Sequence, residues 1–251
     1  LDSLYVQAEH LLQSGQPSSA LEVVLKIRAL DPDYEKLPEL IERTNKLLEF
    51  EAHYRAALDL IAKGKNDEAL NALKLLESEN PGMWDIPQRI AAMEKEKKIS
   101  EYLKAGDAAY QKQDWVKVIE AYESALVLDQ RLDDTMMKEQ LLFAYLNRII
   151  GMLQSDNTSV EDINLSEQYY RKAVTLIPQN KEFVSQRENL QQISRDLLLK
   201  KYTQLAKSKL NDKKQTTATI NEAIYYLTKA SNLNPDDSGL LADLIIANNY
   251  Q

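Results

Sequence analysis

A repeat interval of 49 residues constrains this chain more than any other feature of its sequence. The octets DPDYEKLP (31–38) and NPGMWDIP (80–87) share only a few letters, but both carry proline at their second and eighth places. The same shift aligns small or apolar residues in three successive copies. Intervals of this length are typical of repeat architectures, in which each repeat is one supersecondary unit. The aligned sets are Ala8, Ala57 and Gly106; Ala20, Ala69 and Val118; Val24, Leu73 and Tyr122; Ile27, Leu76 and Ala125; and Gly15, Gly64 and Gln113.

The prolines predict where helices end and begin. Pro32 and Pro81 follow apolar periodic segments, where proline cannot continue a helix. Pro38 and Pro87 suit the first turn of the next helix, where the missing N–H has no partner in any case. No breaker lies between Pro38 and Gly64, which predicts one helix of about 26 residues, and the copy at 86–113 behaves alike. The chain has only six glycines and seven prolines, which favours long helices over many short strands.

The third copy, AGDAAYQKQDWVKVIEAYESALVLDQ (105–130), resembles a tetratricopeptide repeat, a helix–turn–helix unit. Its matching residues are Gly106, Tyr122 and Ala125. The usual period is about 34 residues, so each unit here has about fifteen more, which extend its first helix. Weaker matches occur at 165–180 through Tyr170, Ala173 and Pro178, and at 220–235 through Ala223, Leu227, Ala230 and Pro235.

The resemblance implies an all-α fold, a right-handed α–α superhelix of about five helix pairs plus a terminal helix. We expect a single solenoid over residues 1–251. Longer turns are expected at 155–164 and 211–220, and Ser159 with Asp162 resembles a capping box. The repeats would span about 1–33, 34–82, 83–131, 132–179 and 180–236, followed by a terminal helix at 237–251.

Composition and motifs argue against several classes of function. The net charge of −8 makes a nucleic-acid partner a poor hypothesis, and no apolar run is long enough to insert in a membrane. There is no cysteine, and the two histidines lie in no zinc motif, so we expect neither a metal nor a cofactor. His53 aligns with Leu4 and Tyr102 and is interpreted as a packed or half-exposed histidine. No nucleophile elbow or glycine-rich phosphate loop is present, so we expect no enzyme.

The first helices of the family line a concave groove, and the resemblance places a partner-binding surface there. Tyrosine in a groove supplies contact area with little loss of rotamer freedom, which suits peptide recognition. Ordinary packing between repeats explains the same residues equally well. The groove set is Tyr5, Glu9, Leu12, Tyr54, Leu58, Ile61, Asp107 and Tyr110. Because it lacks lysine, arginine and asparagine, we do not expect the chaperone-tail grip of some family members.

A basic stretch at 195–214 stands out in an acidic chain and holds Arg195, Lys200, Lys201, Lys207 and Lys209. One interpretation is a patch for an anion, a lipid headgroup or an acidic partner. The alternative, which we favour, is a helix with basic residues toward its C-terminus, where they complement the helix dipole.

The leading hypothesis is a non-enzymatic scaffold that binds a partner protein or peptide. The alternative is a regulatory or sensing region of a larger membrane-anchored or kinase-linked protein, because the chain begins at Leu1 rather than methionine. Small-ligand binding or self-association through the long helices is a third hypothesis. The compartment is undetermined. A cytoplasmic location is favoured, and an extracytoplasmic domain of an anchored protein stays open.

Overall fold

The computed structural model describes residues 1–155, 157–176, 184–212 and 215–250, and all regular structure within these ranges is helical. The expected all-α fold is therefore confirmed. The described residues form eleven helices. They are α1 (Asp2–Gln13), α2 (Pro17–Leu30), α3 (Leu37–Ala62), α4 (Asn66–Glu79), α5 (Ile86–Gln111), α6 (Trp115–Leu128), α7 (Thr135–Leu153), α8 (Val160–Thr175), α9 (Val184–Leu210), α10 (Thr217–Leu233) and α11 (Ser238–Asn249).

The chain divides into two compact units, Leu1–Lys98 and Ile99–Gln251, and the boundary falls inside α5. In the first unit α1 packs on α2, α2 on α3 and α3 on α4. In the second unit the same order runs from α6 to α11, and α7 also packs against α9. Consecutive packing of neighbouring helices is the arrangement of an all-α, solenoid-like fold. The division of the chain into the five repeats stays a prediction.

The helices α3 and α5 have the predicted lengths. Both α3 and α5 contain 26 residues, and each has proline as its second residue. Pro32 and Pro81 each lie two residues beyond the preceding helix, as expected for a residue that cannot continue it.

A left-handed residue ends the first helix of each of the first three pairs, and these residues are 49 apart. After α1, the N–H of Gly15 donates to the Leu12 carbonyl (3.1 Å) and that of Gln16 to the Leu11 carbonyl (2.8 Å). This pair of bonds is a Schellman motif, which satisfies the last carbonyls of the helix. Gly64 and Gln113 make the same two bonds, and the three φ angles are 68°, 72° and 55°.

The small residues of the repeat lie between helices. Ala8, Ala20, Ala57 and Ala69 are all 0% exposed. Small side chains let helix axes approach toward the close end of the 8–10 Å range. The aliphatic residues of the following turns are buried around them, namely Val24, Ile27, Leu73 and Leu76.

The second unit is built around α7, which packs against α6, α8 and α9. All six consecutive residues from 141 to 146 are buried, whereas a helix at the protein surface normally buries only one apolar face. The hydroxyl of Tyr145 donates to the carboxylate of Glu123 on α6, and the Lys172 ammonium on α8 binds the same carboxylate. The Glu123 carboxylate thereby joins the second helices of consecutive pairs to each other and to the first helix that lies between them in sequence.

Connections longer than those of the first three pairs precede α8 and α10, but residues 160–164 and 217–220 of the expected turns are helical. Ser159 caps α8 by accepting from the Asp162 N–H (3.0 Å), but its hydroxyl also donates to the Asp162 carboxylate (2.9 Å). The Asp162 carboxylate therefore binds the Ser159 side chain, whereas in a capping box it would bind the Ser159 backbone N–H. A reciprocal capping box forms instead at Thr216 and Thr219, which open α10. Pro178, part of the weaker 165–180 match, lies outside the described residues.

Candidate functional site on the first helices of the first unit

A pocket of about 350 Å³ lies between α1 and α3 in the first unit. Leu12 and Leu47 supply its aliphatic lining. Its polar lining comes from Gln13 on α1, Arg43 and Lys46 on α3, and Asn80 directly after α4. Four of its six lining residues are polar, so it is more polar than most ligand pockets, which are predominantly apolar.

Two ion pairs shape the electrostatics of this pocket. The Arg43 guanidinium binds the Glu9 carboxylate through Nη1 (2.6 Å), and this bond raises the pKa of Arg43. Lys46 binds Glu42 one turn earlier (2.6 Å), and that bond lowers the pKa of Glu42. Arginine has five N–H donors and lysine three, so each cation keeps donors for a bound carbonyl or carboxylate.

Tyr5 lies near this pocket and packs against the segment that leads into α3. Its ring is 6.2 Å from that of Tyr34, and the Lys36 ammonium lies 4.9 Å from the centre of the ring. Burial and the nearby Glu9 raise the pKa of Tyr5. The structure therefore brings Tyr5, Glu9 and Leu12 to the contact between the first helices of neighbouring pairs.

Tyr54 occupies the corresponding place one repeat later and is fully engaged within the unit. Its hydroxyl donates to Asp85, accepts from Arg89 Nε (3.0 Å), and its ring lies 4.9 Å from that of Trp84. Asp85 stands 49 residues after Lys36, just as Tyr54 stands 49 residues after Tyr5. The two equivalent tyrosines therefore contact equivalent residues, each directly before a long helix. Leu58 is half-buried, and Ile61 packs on the core that includes Ala57. These contacts match the alternative interpretation of packing between repeats.

The remaining groove residues, Asp107 and Tyr110, lie in the second unit. The Asp107 carboxylate accepts from the hydroxyl of Tyr122 on α6 (2.8 Å), which also contacts the Gln140 side chain. Burial, followed by the bond to Asp107, raises the pKa of Tyr122. Tyr110 is half-buried beside Trp115.

The residues of the basic stretch do not share one exposed face of α9. Lys200 and Lys207 are exposed, but Lys201 is buried and its ammonium donates to the Ser155 carbonyl (2.6 Å). Lys209 pairs with Glu222 on α10 (2.5 Å), and Arg195 is half-buried. Two members are therefore already bonded within the protein, and the patch stays a prediction.

The structure exposes His53, so the interpretation of this residue as packed is wrong. In the repeat, His53 aligns with Leu4 and Tyr102. Tyr102 is also exposed, so this repeat position lies at the edge of the packed helix face.

Of the residues that line the pocket, the predicted groove set contains Leu12 but not Gln13, Arg43, Lys46, Leu47 or Asn80. The family pattern placed the groove residues of α3 in its second half. The first half of α3 lies beside α1 and forms the pocket. The spacing of Arg43, Lys46 and Leu47 was the available signal, since residues three and four apart share one helix face.

Within the described ranges, no group of three or more histidine, aspartate or glutamate side chains could hold a metal ion. No helix in the same ranges combines the length and apolar character needed to cross a bilayer. Neither models of known protein families nor curated proteins give a match to this sequence.

Proposed function

We propose that the chain is a non-enzymatic interaction module of the tetratricopeptide type, which binds a peptide segment of a partner protein between α1 and α3. The observation that carries this proposal is the pocket lined by Leu12, Arg43, Lys46 and Leu47. It lies on the first helices of neighbouring pairs, where the family resemblance places a groove.

The chemistry of the pocket supports a peptide ligand. Its volume of about 350 Å³ and the two leucines provide space for one apolar side chain. The spare donors of Arg43 and Lys46 suit a backbone carbonyl or a carboxylate next to that side chain. The matching ligand is a short segment with an apolar residue beside an acidic one.

Selection from a displayed random-peptide library against the intact chain tests the proposal, followed by affinity measurements on the selected peptides by calorimetry. Lys46→Glu reverses a charge at the pocket, so it should weaken binding by about tenfold, the effect of one charge-assisted bond. Lys95→Glu makes the same change at an exposed position of α5 outside the pocket lining, so it should leave affinity unaltered.

Equal losses in the two variants would show attraction to overall charge and would overturn the site. Recovery of no binding peptide, together with turnover of a substrate by the purified chain, would overturn the functional class.

A further inference from the structure

A second pocket, of about 360 Å³, lies in the second unit where α5 ends and α6 begins. We call it the aromatic–amide pocket. No lining residue is charged, although charged residues make up 28% of the chain. It is lined chiefly by Tyr110, Gln113, Trp115, Phe143, Asn147 and Gln186.

Gln113 is an unexpected residue for its backbone conformation. It has a left-handed φ of 55°, and the equivalent residues of the two preceding copies are Gly15 and Gly64. A residue with a Cβ is disfavoured in this conformation, and such strain is retained where the local structure serves a function. The turn itself requires only glycine. Gln113, which is one of the residues that line the pocket, distinguishes this copy from the two before it.

The aromatic residues also distinguish the third copy. Tyr110 stands where the preceding copies have Leu12 and Ile61, and Trp115 stands where they have Pro17 and Asn66. The two rings form an edge-to-face pair, with centres 5.7 Å apart and planes at 72°. They add two aromatic walls, inclined at 72° to each other, that the first two copies lack.

Several hydrogen-bonding groups of the pocket have no partner within the described part of the chain. They are the indole N–H of Trp115, the hydroxyl of Tyr110 and the side-chain amides of Gln113 and Gln186. The Asn147 amide instead donates to the Phe143 carbonyl (2.8 Å). A tyrosine hydroxyl keeps its proton at neutral pH and is therefore a donor, and burial raises the pKa of Tyr110 further.

We propose that the aromatic–amide pocket binds an uncharged, proline-containing extended segment of a partner protein. Aromatic-lined grooves bind polyproline II segments, whose carbonyls have no internal partners and whose prolines have no N–H to satisfy. The indole, phenol and amide donors of the pocket would bind these carbonyls, and the two inclined rings would accommodate a proline ring. The inference rests on the proposed function as an interaction module and assigns it a second, chemically different site.

The chain has two tryptophans, so a nitrogen-15 correlation spectrum of the intact protein contains two indole signals. Titration with acetylated, amidated decaproline should shift the Trp115 signal saturably and leave the Trp84 signal unchanged. A capped Gly–Ser decapeptide should shift neither. Rings and amides also suit sugars, so a linear glucose hexasaccharide is titrated in parallel. A saturable Trp115 shift with the sugar and none with decaproline overturns the inference.

Gln113→Gly should weaken decaproline binding by about fivefold, the effect of losing one neutral hydrogen bond. Because glycine suits the left-handed turn, this variant should keep or raise the thermal midpoint. Gln113→Asn, which tolerates the same backbone and keeps an amide, should retain more of the affinity. Unchanged affinity in Gln113→Gly overturns the assignment.

The two proposals fail separately. Decaproline binding that survives Lys46→Glu, with no peptide recovered for the first unit, overturns the α1–α3 site alone. Selected peptides that depend on Lys46, with no Trp115 shift, overturn the aromatic–amide pocket alone.

Discussion

The indole N–H of Trp84 donates to the carbonyl of Gly15 across 3.1 Å, although the two residues are 69 positions apart. The Trp84 ring also packs 5.3 Å from Phe50 and 4.9 Å from Tyr54, measured between ring centres. This single side chain connects the turn after α1 with the turn between α4 and α5, and α3 supplies both ring partners. This contact joins parts of the first unit that are distant in sequence, so no local sequence pattern predicts it.

The contact between Trp84 and Gly15 predicts that two similar glycine substitutions differ in cost. Gly15 and Gly64 both have left-handed φ angles, so alanine at either costs about 1–2 kcal/mol. A Cβ at Gly15 would also lie 2.6 Å from Trp84 Nε1, whereas a Cβ at Gly64 meets nothing within 4 Å. Gly15→Ala should therefore lose roughly 1–3 kcal/mol more. Urea unfolding followed by tryptophan fluorescence measures the difference, and equal losses would contradict the role of Trp84.

Alanine substitutions at two helical glycines, Gly106 and Gly151, should have opposite effects on stability. A Cβ at Gly106 would lie 2.1 Å from Cε1 of the buried Tyr122, whereas a Cβ at Gly151 meets nothing within 4 Å. Gly106→Ala should destabilise the second unit by roughly 1–3 kcal/mol through overpacking. Gly151→Ala should stabilise it by up to about 1 kcal/mol through helix propensity. Thermal unfolding by circular dichroism compares them, and stabilisation by both would show that Tyr122 adapts freely.

The Glu167 carboxylate should make a pH-dependent contribution to the stability of the fold. Its burial alone would raise the pKa, but bonds from Lys229 (2.7 Å), Tyr202 (2.7 Å) and Arg171 (2.6 Å) outweigh that effect and lower it. A lowered folded-state pKa means that the stabilisation is complete above the unfolded value of about 4.3 and is lost as the pH falls below it. Glu167→Gln should therefore cost about 1–3 kcal/mol at pH 7 and progressively less below about pH 4.

Urea unfolding of wild type and Glu167→Gln between pH 3 and pH 7 measures this dependence. Glu42→Gln is the matched control, because the Glu42 carboxylate forms an exposed pair and should contribute nothing measurable. A constant difference between wild type and Glu167→Gln at all pH values would show that the cost is steric rather than electrostatic.

Adjacent alanines of α3 test the close approach of helices. Ala57 is 0% exposed, whereas Ala56 is exposed. Ala57→Leu should overpack the contact and cost roughly 1–3 kcal/mol, whereas Ala56→Leu should stay within about 0.5 kcal/mol of wild type. Chemical denaturation of both full-length variants gives the comparison. A small effect at Ala57 would mean that the helices are not held at close range there.

The candidate site was only partly predictable from sequence. Leu12 and Glu9 were found because the family pattern marks the first helix of a pair. Arg43 and Lys46 were missed because their spacing indicates a shared helix face but not that this face lies beside α1. Tyr54 fits the same pattern as Tyr5, yet Asp85, Arg89 and Trp84 already bind it.

The sequence by itself determined where the helices begin and end and which small residues they bury. Proline and left-handed turn residues act on the backbone within a few positions, so a local pattern is sufficient for both. The tertiary structure decided which side chains remain available to a partner. Lys201 is bonded to the Ser155 carbonyl and Asp107 to Tyr122, whereas Gln113 lines an uncharged pocket. These outcomes depend on how distant helices pack, because a polar group is available only where no neighbouring element reaches it.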